Sequence, residues 1–328
     1  MPMHHSTTEQ IPTVSDIFAA RERIRQQIRE TPVLSDPQFN AVLGCELWLK
    51  CENLQRTGAF KFRGANNALA RLTEAGRAGD VATHSSGNHG AALALAAAAH
   101  QRRAWIVMPD NSVRTKIEAV QRYGGEIIFC PPAQQQRETG LANLVTKGCI
   151  PIPPYDHADI ICGQGTAALE LAEQCPELDL LLTPVGGGGL ISGSAIAARA
   201  LIPGIKVIGA EPEGAADTAL SLQQGERVEE FPVDTIADGL RALVGVLNFE
   251  IIRTNVAQII TVSEAGIIDA MALVWRHFRM LIEPSSATVI AAIMAQPEFF
   301  AGQQVGAIIS GGNLDLEQLP FKESLPYS

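Results

Sequence analysis

The chain has no run of basic residues, and its formal charge is −10 over 328 residues. That balance excludes steering toward nucleic acid or an anionic membrane surface as its main activity. None of the six cysteines forms a CxxC pair, and no Cys/His set has zinc-ligand spacing. They read as reduced thiols of a cytosolic protein. No apolar stretch is long enough to span a bilayer. Met1 to Gln10 has no hydrophobic signal core, so secretion is not expected, and His4 and His5 read as part of a loose terminus. Internal repeats and low-complexity tracts are absent. So are the Gly-Lys-Ser/Thr of a P-loop and the GxGxxG of a dinucleotide site, which argues against a dehydrogenase.

What is present is a globular enzyme composition, 46% hydrophobic and 18% charged. The length suffices for two domains. Strand and helix signals alternate. Strands are expected at Glu46–Lys50, Val81–His84, Ala104–Met108, Glu126–Cys130, Ile150–Ile152, Leu180–Val185, Lys206–Ala210 and Val305–Ile309. Helices are expected at Ala91–His100, Arg114–Arg122, Gln135–Lys147, Thr166–Glu173, Leu190–Leu201, Ser263–Arg279 and Ser285–Ala295. This βαβα order predicts an α/β protein with two open, mostly parallel sheets covered by helices. The expected division is a large domain of residues 1–70 and 157–328 and a small mobile domain of residues 71–156. Pro151 to Pro154 makes a natural crossing between them. Ligands in such sheets sit beyond the carboxyl ends of the strands.

Chemistry concentrates in a few segments. Lys61 lies in Thr57-Gly58-Ala59-Phe60-Lys61-Phe62-Arg63-Gly64-Ala65, where Arg63 is the one charged neighbour. A lysine becomes a nucleophile when burial or a nearby cation depresses its pKa. Taken alone, a surface lysine is the commoner case. Gly186-Gly187-Gly188-Gly189-Leu190 follows a strand and opens a helix. Bare backbone N–H groups there can wrap a phosphate, and four consecutive glycines are too costly in chain entropy for a plain turn. Ser85-Ser86-Gly87-Asn88-His89 opens the alanine-rich helix and offers hydroxyl, amide and backbone donors. N-capping by Ser85 or Ser86 accounts for one hydroxyl only. His89 reads equally as a base or as a packed histidine. Ser310-Gly311-Gly312-Asn313 ends the last strand; alone it is also a common turn.

Together with Lys50-Cys51-Glu52-Asn53 and Glu283-Pro284-Ser285-Ser286-Ala287, these segments resemble the fold-type II family of pyridoxal 5′-phosphate (PLP) enzymes, above all serine/threonine dehydratases and serine racemase. The resemblance runs from about Ile17 to Asn313. It implies PLP bound to Lys61 as a Schiff base, its phosphate on Gly186 to Gly189 beside Leu190, Asn88 on the ring hydroxyl, Ser310 on the pyridine nitrogen and Phe60 against the ring. Glu283 and Asn313 fall in cofactor-side motifs. Ser85, Ser86, Gly87, Asn88 and His89 would grip the substrate carboxylate, and Ser86 matches the second acid/base of serine racemase. Glu211, the Ala215 carbonyl and Asp217 match the family's divalent-cation site, a donor set suited to Mg²⁺ or Ca²⁺. The alternative is an acidic turn that caps the helix at Asp217; the metal reading is favoured.

The implied reaction dehydrates a β-hydroxy L-amino acid such as threonine or serine to a 2-oxo acid and ammonia. Lys61 would take the Cα proton, and the small domain would close over the substrate. Ala59 stands where many relatives have serine, which leaves the substrate open. The alternatives on the same scaffold are dehydration of 3-hydroxyaspartate, phenylserine or a hydroxyectoine-derived amino acid, racemisation of serine or aspartate, and β-replacement. A non-catalytic PLP or amino-acid binder is the rival outside enzymology. No effector domain is expected after Asn313, and a cytoplasmic homodimer is the default assembly.

Overall fold

Apolar runs closed by proline, glycine or a polar turn form ten strands in the computed structural model of the protein, which describes residues 10–85 and 87–320, with the side chain of Gln318 excepted. The chain runs α1 (Val14–Ile24), β1 (Val33–Leu34), α2 (Pro37–Leu43), β2 (Glu46–Cys51), α3 (Lys61–Glu74), β3 (Val81–His84), α4 (Asn88–Ala99), β4 (Ala104–Pro109), α5 (Arg114–Arg122), β5 (Glu126–Cys130), α6 (Gln134–Thr146), β6 (Ile150–Pro151) and α7 (Ala158–Gln174). It continues through β7 (Leu180–Pro184), α8 (Gly189–Leu201), β8 (Lys206–Pro212), α9 (Asp217–Gln224), α10 (Val246–Asn255), β9 (Gln258–Val262), α11 (Glu264–Phe278), α12 (Pro284–Ala295), α13 (Pro297–Phe300) and β10 (Gln304–Ile309).

Two sheets result. Six strands lie in the order β1-β2-β10-β7-β8-β9 and four in the order β5-β4-β3-β6. All pairings are parallel except β1 with β2. Buried strands such as Leu180–Pro184 read as continuous apolar runs because helices cover both faces. One core cluster lies under α11 and α12, a second under α7 and α8, and a third joins α3 and α4 to the four-stranded sheet. No helix of the described residues is long and apolar enough to cross a membrane.

The expected strands all form, with ends shifted by one or two residues. The helix expected at Thr166–Glu173 is a correction: α7 begins eight residues earlier, at Ala158. Gly163 and Gly165 look like helix breakers but serve close packing. A Cβ on Gly163 would lie 2.6 Å from the Arg63 carbonyl oxygen, and one on Gly165 would lie 2.8 Å from that of Gly193. Helices α3 and α8 therefore approach α7 at backbone distance.

Between α3 and α7 lies a buried set of four charges. The Arg63 guanidinium donates to Glu52 at 2.7 and 2.8 Å, to Glu170 at 2.7 and 2.8 Å and to Thr166 at 3.1 Å. Lys50 pairs with Glu170 at 2.7 Å and donates to the Thr31 carbonyl at 2.8 Å. Burial would raise the Glu52 carboxyl, but the Arg63 guanidinium overrides it and holds it below the usual carboxylate range. Charges balance inside the set, so its members are costly to remove singly. Arg63→Met leaves two buried carboxylates facing Lys50 alone. It should lower unfolding free energy by about 3–5 kcal/mol, read as a fall in the urea midpoint; a loss under about 1 kcal/mol contradicts the packing described.

Candidate active site

Lys61 is the first residue of α3, set just beyond the carboxyl end of β2. The turn before it is pinned to the loop after β10. Phe60 N–H donates to the Ser310 carbonyl at 3.0 Å, and Gly312 N–H donates to the Gly58 carbonyl at 2.9 Å. Ala59 and Gly311 form an antiparallel bridge. The Asn313 side chain donates to the Thr57 carbonyl at 2.7 Å. Thr57 itself sits at φ 62, a left-handed conformation that a β-branched residue adopts only when held. The lysine motif and the Ser-Gly-Gly-Asn motif thus meet as neighbouring backbone.

The Lys61 amine donates to the Pro154 carbonyl at 2.8 Å and lies 5.1 Å from the Phe60 ring centre and 6.0 Å from that of Tyr155. Burial pushes it down to about 8, against the opposing pull of the Glu283 carboxylate. A share of the amine is therefore neutral near neutral pH.

Asn88 opens α4 and reaches across to the large sheet's loops. Its Nδ2 donates to Glu283 at 2.8 and 3.1 Å, and its Oδ1 accepts from Asn313 Nδ2 at 3.0 Å. Those bonds fix which way the amide faces. Glu283 is buried, and burial pushes its carboxyl up to about 7 against the pull of the Lys116 ammonium. Lys116 of α5 is ion-paired with Asp238, a second link between the small sheet's helices and the large sheet's loops. Ser310 is buried and its hydroxyl lies 3.0 Å from that of Ser286.

Two expectations about capping change, those for Ser85 and Asp217. Ser85 Oγ accepts from Gly87 N at 3.2 Å and Gly90 N at 3.1 Å, but the N-cap residue of α4 is Gly87. Ser285 Oγ accepts from Gly239 N at 3.0 Å and does not cap α12, whose N-cap is Glu283. The first turn of α9 is capped by Glu211, which accepts from Thr218 N at 3.2 Å and Ala219 N at 3.0 Å, while Asp217 accepts from Val244 N at 2.8 Å. Of the two readings of His89, the geometry favours the packed histidine. Its Nε2 lies 3.2 Å from the Ile152 carbonyl and so carries the hydrogen, and burial pushes its pKa down to about 3. A neutral ring offers no charge to a carboxylate, which leaves the His89 backbone N–H for that role. Ser86 lies outside the described residues.

The glycine loop is shaped by residues the sequence did not advertise. Gly188 has φ 89, a conformation open to glycine. The Gly187 carbonyl accepts from Asn248 Nδ2 at 2.8 Å and Gly245 N at 3.1 Å. In a trans peptide the N–H of Gly188 then points the opposite way, away from Asn248. The Tyr155 ring lies flat on Gly187, where any Cβ would collide with it. Leu190 turns into the core. Tyr155, Asn248, Lys116 and Asp238 had no local sequence signal, because each acts through a distant partner.

Glu211, Asp217 and Ala215 lie together in the turn from β8 to α9, apart from Lys61. Burial pushes Glu211 up to about 8 and Asp217 up to about 6. Two desolvated carboxylates with a nearby carbonyl fit a hard divalent cation as donors, although no group of three His, Cys, Asp or Glu forms among the described residues. Grooves of about 420 and 470 Å³ lie elsewhere, and neither is lined by Lys61 or the glycine loop.

A family model described as pyridoxal-phosphate dependent enzyme matches residues 24–311. The chain belongs to that family. It is 44% identical to the beta-hydroxyaspartate dehydratase of Paracoccus denitrificans over 95% of this chain and 99% of the relative. It is 46% identical to the serine racemase of Dictyostelium discoideum over 94% of this chain and 96% of the relative. The structure of maize serine racemase superposes with a TM-score of 0.91 at 40% identity, covering 94% of this chain and 96% of that one. The fold is that of fold-type II PLP enzymes, as the motifs implied. A buried, partly neutral lysine, a glycine loop at a helix N-terminus and an oriented amide suit a phosphorylated aldehyde cofactor.

Because the folded pKa of Glu283 lies above its unfolded value, the stability it contributes is full below about pH 4 and is lost as pH rises through about 7. Glu283→Gln lacks that loss. Its melting temperature relative to wild type should climb between pH 5 and pH 8, an effect on the order of 3 kcal/mol. A pH-independent difference in melting temperature contradicts the burial argument.

Proposed function

We propose that the protein is a PLP-dependent ammonia-lyase that dehydrates a β-hydroxy amino acid, and that its preferred substrate carries a second carboxylate, as 3-hydroxyaspartate does. The reaction class follows from the family and from lyase relatives such as the Paracoccus dehydratase. The second carboxylate rests on Arg137 of α6. Its Nε is buried with no hydrogen-bond partner among the described residues, and its charge acts on His84, the last residue of β3. Strand ends of that kind face the ligand crevice in parallel sheets. A half-buried guanidinium with an unsatisfied Nε at a strand end calls for an anion. Serine and threonine bring none.

Bound PLP supplies the electron sink that makes a Cα proton removable. The chain supplies the rest. Lys61 would hold the cofactor, and its neutral amine would take the Cα proton. The backbone N–H groups of Gly187–Leu190 hold the phosphate, with Gly186 leading into the turn. Phe60 would flank the ring, Ser310 would face its nitrogen, and Asn88, steadied by Glu283 and Asn313, would meet its hydroxyl. Backbone N–H groups at Gly87, Asn88 and His89 hold the substrate α-carboxylate, with Ser85 fixing that turn. Water and ammonia leave, water returns, and a 2-oxo acid remains. Residues 71–156 would close on the substrate as one unit, with the Lys116–Asp238 and Asn88–Glu283 links marking the closed state. Racemisation needs a second base on the far face of the substrate, for which Ser86 is the candidate.

Glu211, Asp217 and the Ala215 carbonyl would hold Mg²⁺ or Ca²⁺. The ion would offset two buried carboxylates and brace the glycine loop, since Asp217 binds Val244 and Val244 packs on Gly188. All six cysteines are free thiols, which supports a reducing, cytoplasmic setting; the assembly is taken as a homodimer.

Release of 2-oxo acid from 3-hydroxyaspartate, serine and threonine tests the substrate. The first should give the highest kcat/KM. Arg137→Met should cost about 10- to 100-fold in kcat/KM for 3-hydroxyaspartate and under about 3-fold for serine. Equal losses on both substrates contradict the second-carboxylate reading. Thorough chelation should lower the melting temperature, with recovery on adding Mg²⁺ or Ca²⁺; an unchanged melting temperature removes Glu211 and Asp217 as ligands.

A further inference from the structure

Gln164 stands in the middle of α7 and is fully buried. Neither its Oε1 nor its Nε2 has a hydrogen-bond partner among the described residues. Each orphaned atom carries a desolvation cost that an apolar side chain of the same size would not. Nothing in the packing of α7 compensates for it, so stability alone does not account for this side chain.

Its course through the structure shows what it serves. The Gln164 stem passes Gly64 of α3, where a Cβ would lie 3.1 Å from Gln164 Cγ. Its amide ends at Gly189, where a Cβ would lie 2.5 Å from Gln164 Oε1 and 3.0 Å from the Tyr155 carbonyl oxygen. Gly189 is the last of the four glycines and the first residue of α8. The buried amide therefore abuts the turn whose backbone N–H groups await an anion. The two ends of an amide exchange places by a half-turn of the terminal torsion, and an anion accepts from Nε2 alone.

We propose that Gln164 is a further binding residue of the cofactor site, a side-chain amide donor to the phosphate group seated on Gly186–Gly189. The inference rests on the glycine loop being the phosphate seat. It explains why a glutamine occupies a helix interior between two close-packed helices. It also explains the last glycine of the loop, since any side chain at 189 would close the gap through which the amide reaches the turn.

The test uses the full-length chain freed of PLP by dialysis, titrated with inorganic phosphate and with PLP while its melting temperature is recorded. Wild type should gain stability from both ligands. Gln164→Leu should melt at or above the wild-type temperature without ligand, because two orphaned polar atoms are gone. Its phosphate dissociation constant should rise about 10-fold. Gln164→Glu should weaken phosphate binding at least as much by charge repulsion. Gln164→Met, closer in shape, repeats the measurement if the leucine variant folds poorly. An apolar variant that melts lower and binds phosphate as tightly as wild type overturns the proposal, and assigns the amide to an internal water. A wild-type protein that gains no stability from phosphate or PLP overturns the seat itself, a result separable from the first.

Discussion

The bidentate grip of Arg63 on Glu52 and Glu170 sets the geometry that the rest of the site depends on. Residues two apart on an α-helix point in nearly opposite directions, about 200° around the axis. Fixing Arg63 inward against α7 turns Lys61 outward, toward the cleft between the two sheets. A quartet of buried charges is weak support for stability, because well-packed apolar residues can do as well. Its consequence here is directional. Five donor bonds from one planar guanidinium leave α3 a single rotational setting, and Lys61 inherits it.

From that setting the electrostatics follow. The Lys61 amine has a carbonyl partner and no ion pair, so burial lowers its proton affinity. The Glu283 carboxylate opposes this and is itself held near neutrality by burial. Asn88 and Asn313 connect the two sheets through Glu283 and Thr57. The site is thus assembled from both sheets, and its titrating groups sit on the contacts between them. On the proposed function, closure of residues 71–156 would also set the protonation of Lys61.

Much of this was legible in residues. Short apolar runs between glycine and proline marked the strands, and four motifs in order marked the family. Their juxtaposition was legible only as resemblance, since nothing local says that Phe60 N–H will find the Ser310 carbonyl. The start of α7 was hidden because Gly163 and Gly165 signal a break in sequence and a close contact in space. Asn248, Tyr155 and Gln164 were invisible for a related reason: each shapes the glycine loop from 30 residues away or more in most cases, and an isolated Asn, Tyr or Gln has no periodicity to betray it. His89 shows the reverse case, where the sequence left two readings open. A histidine beside a ligand motif suggests chemistry, yet its burial against the Ile152 carbonyl keeps it neutral.

The central claim is that the amine at position 61 alone carries the covalent bond to the cofactor. Reduction of the PLP-loaded protein with borohydride, followed by proteolysis and mass mapping, measures this directly. The account predicts one phosphopyridoxyl label per chain, on Lys61. A label on Lys50, Lys116 or any other lysine, or none after reduction of a fully loaded protein, would contradict it.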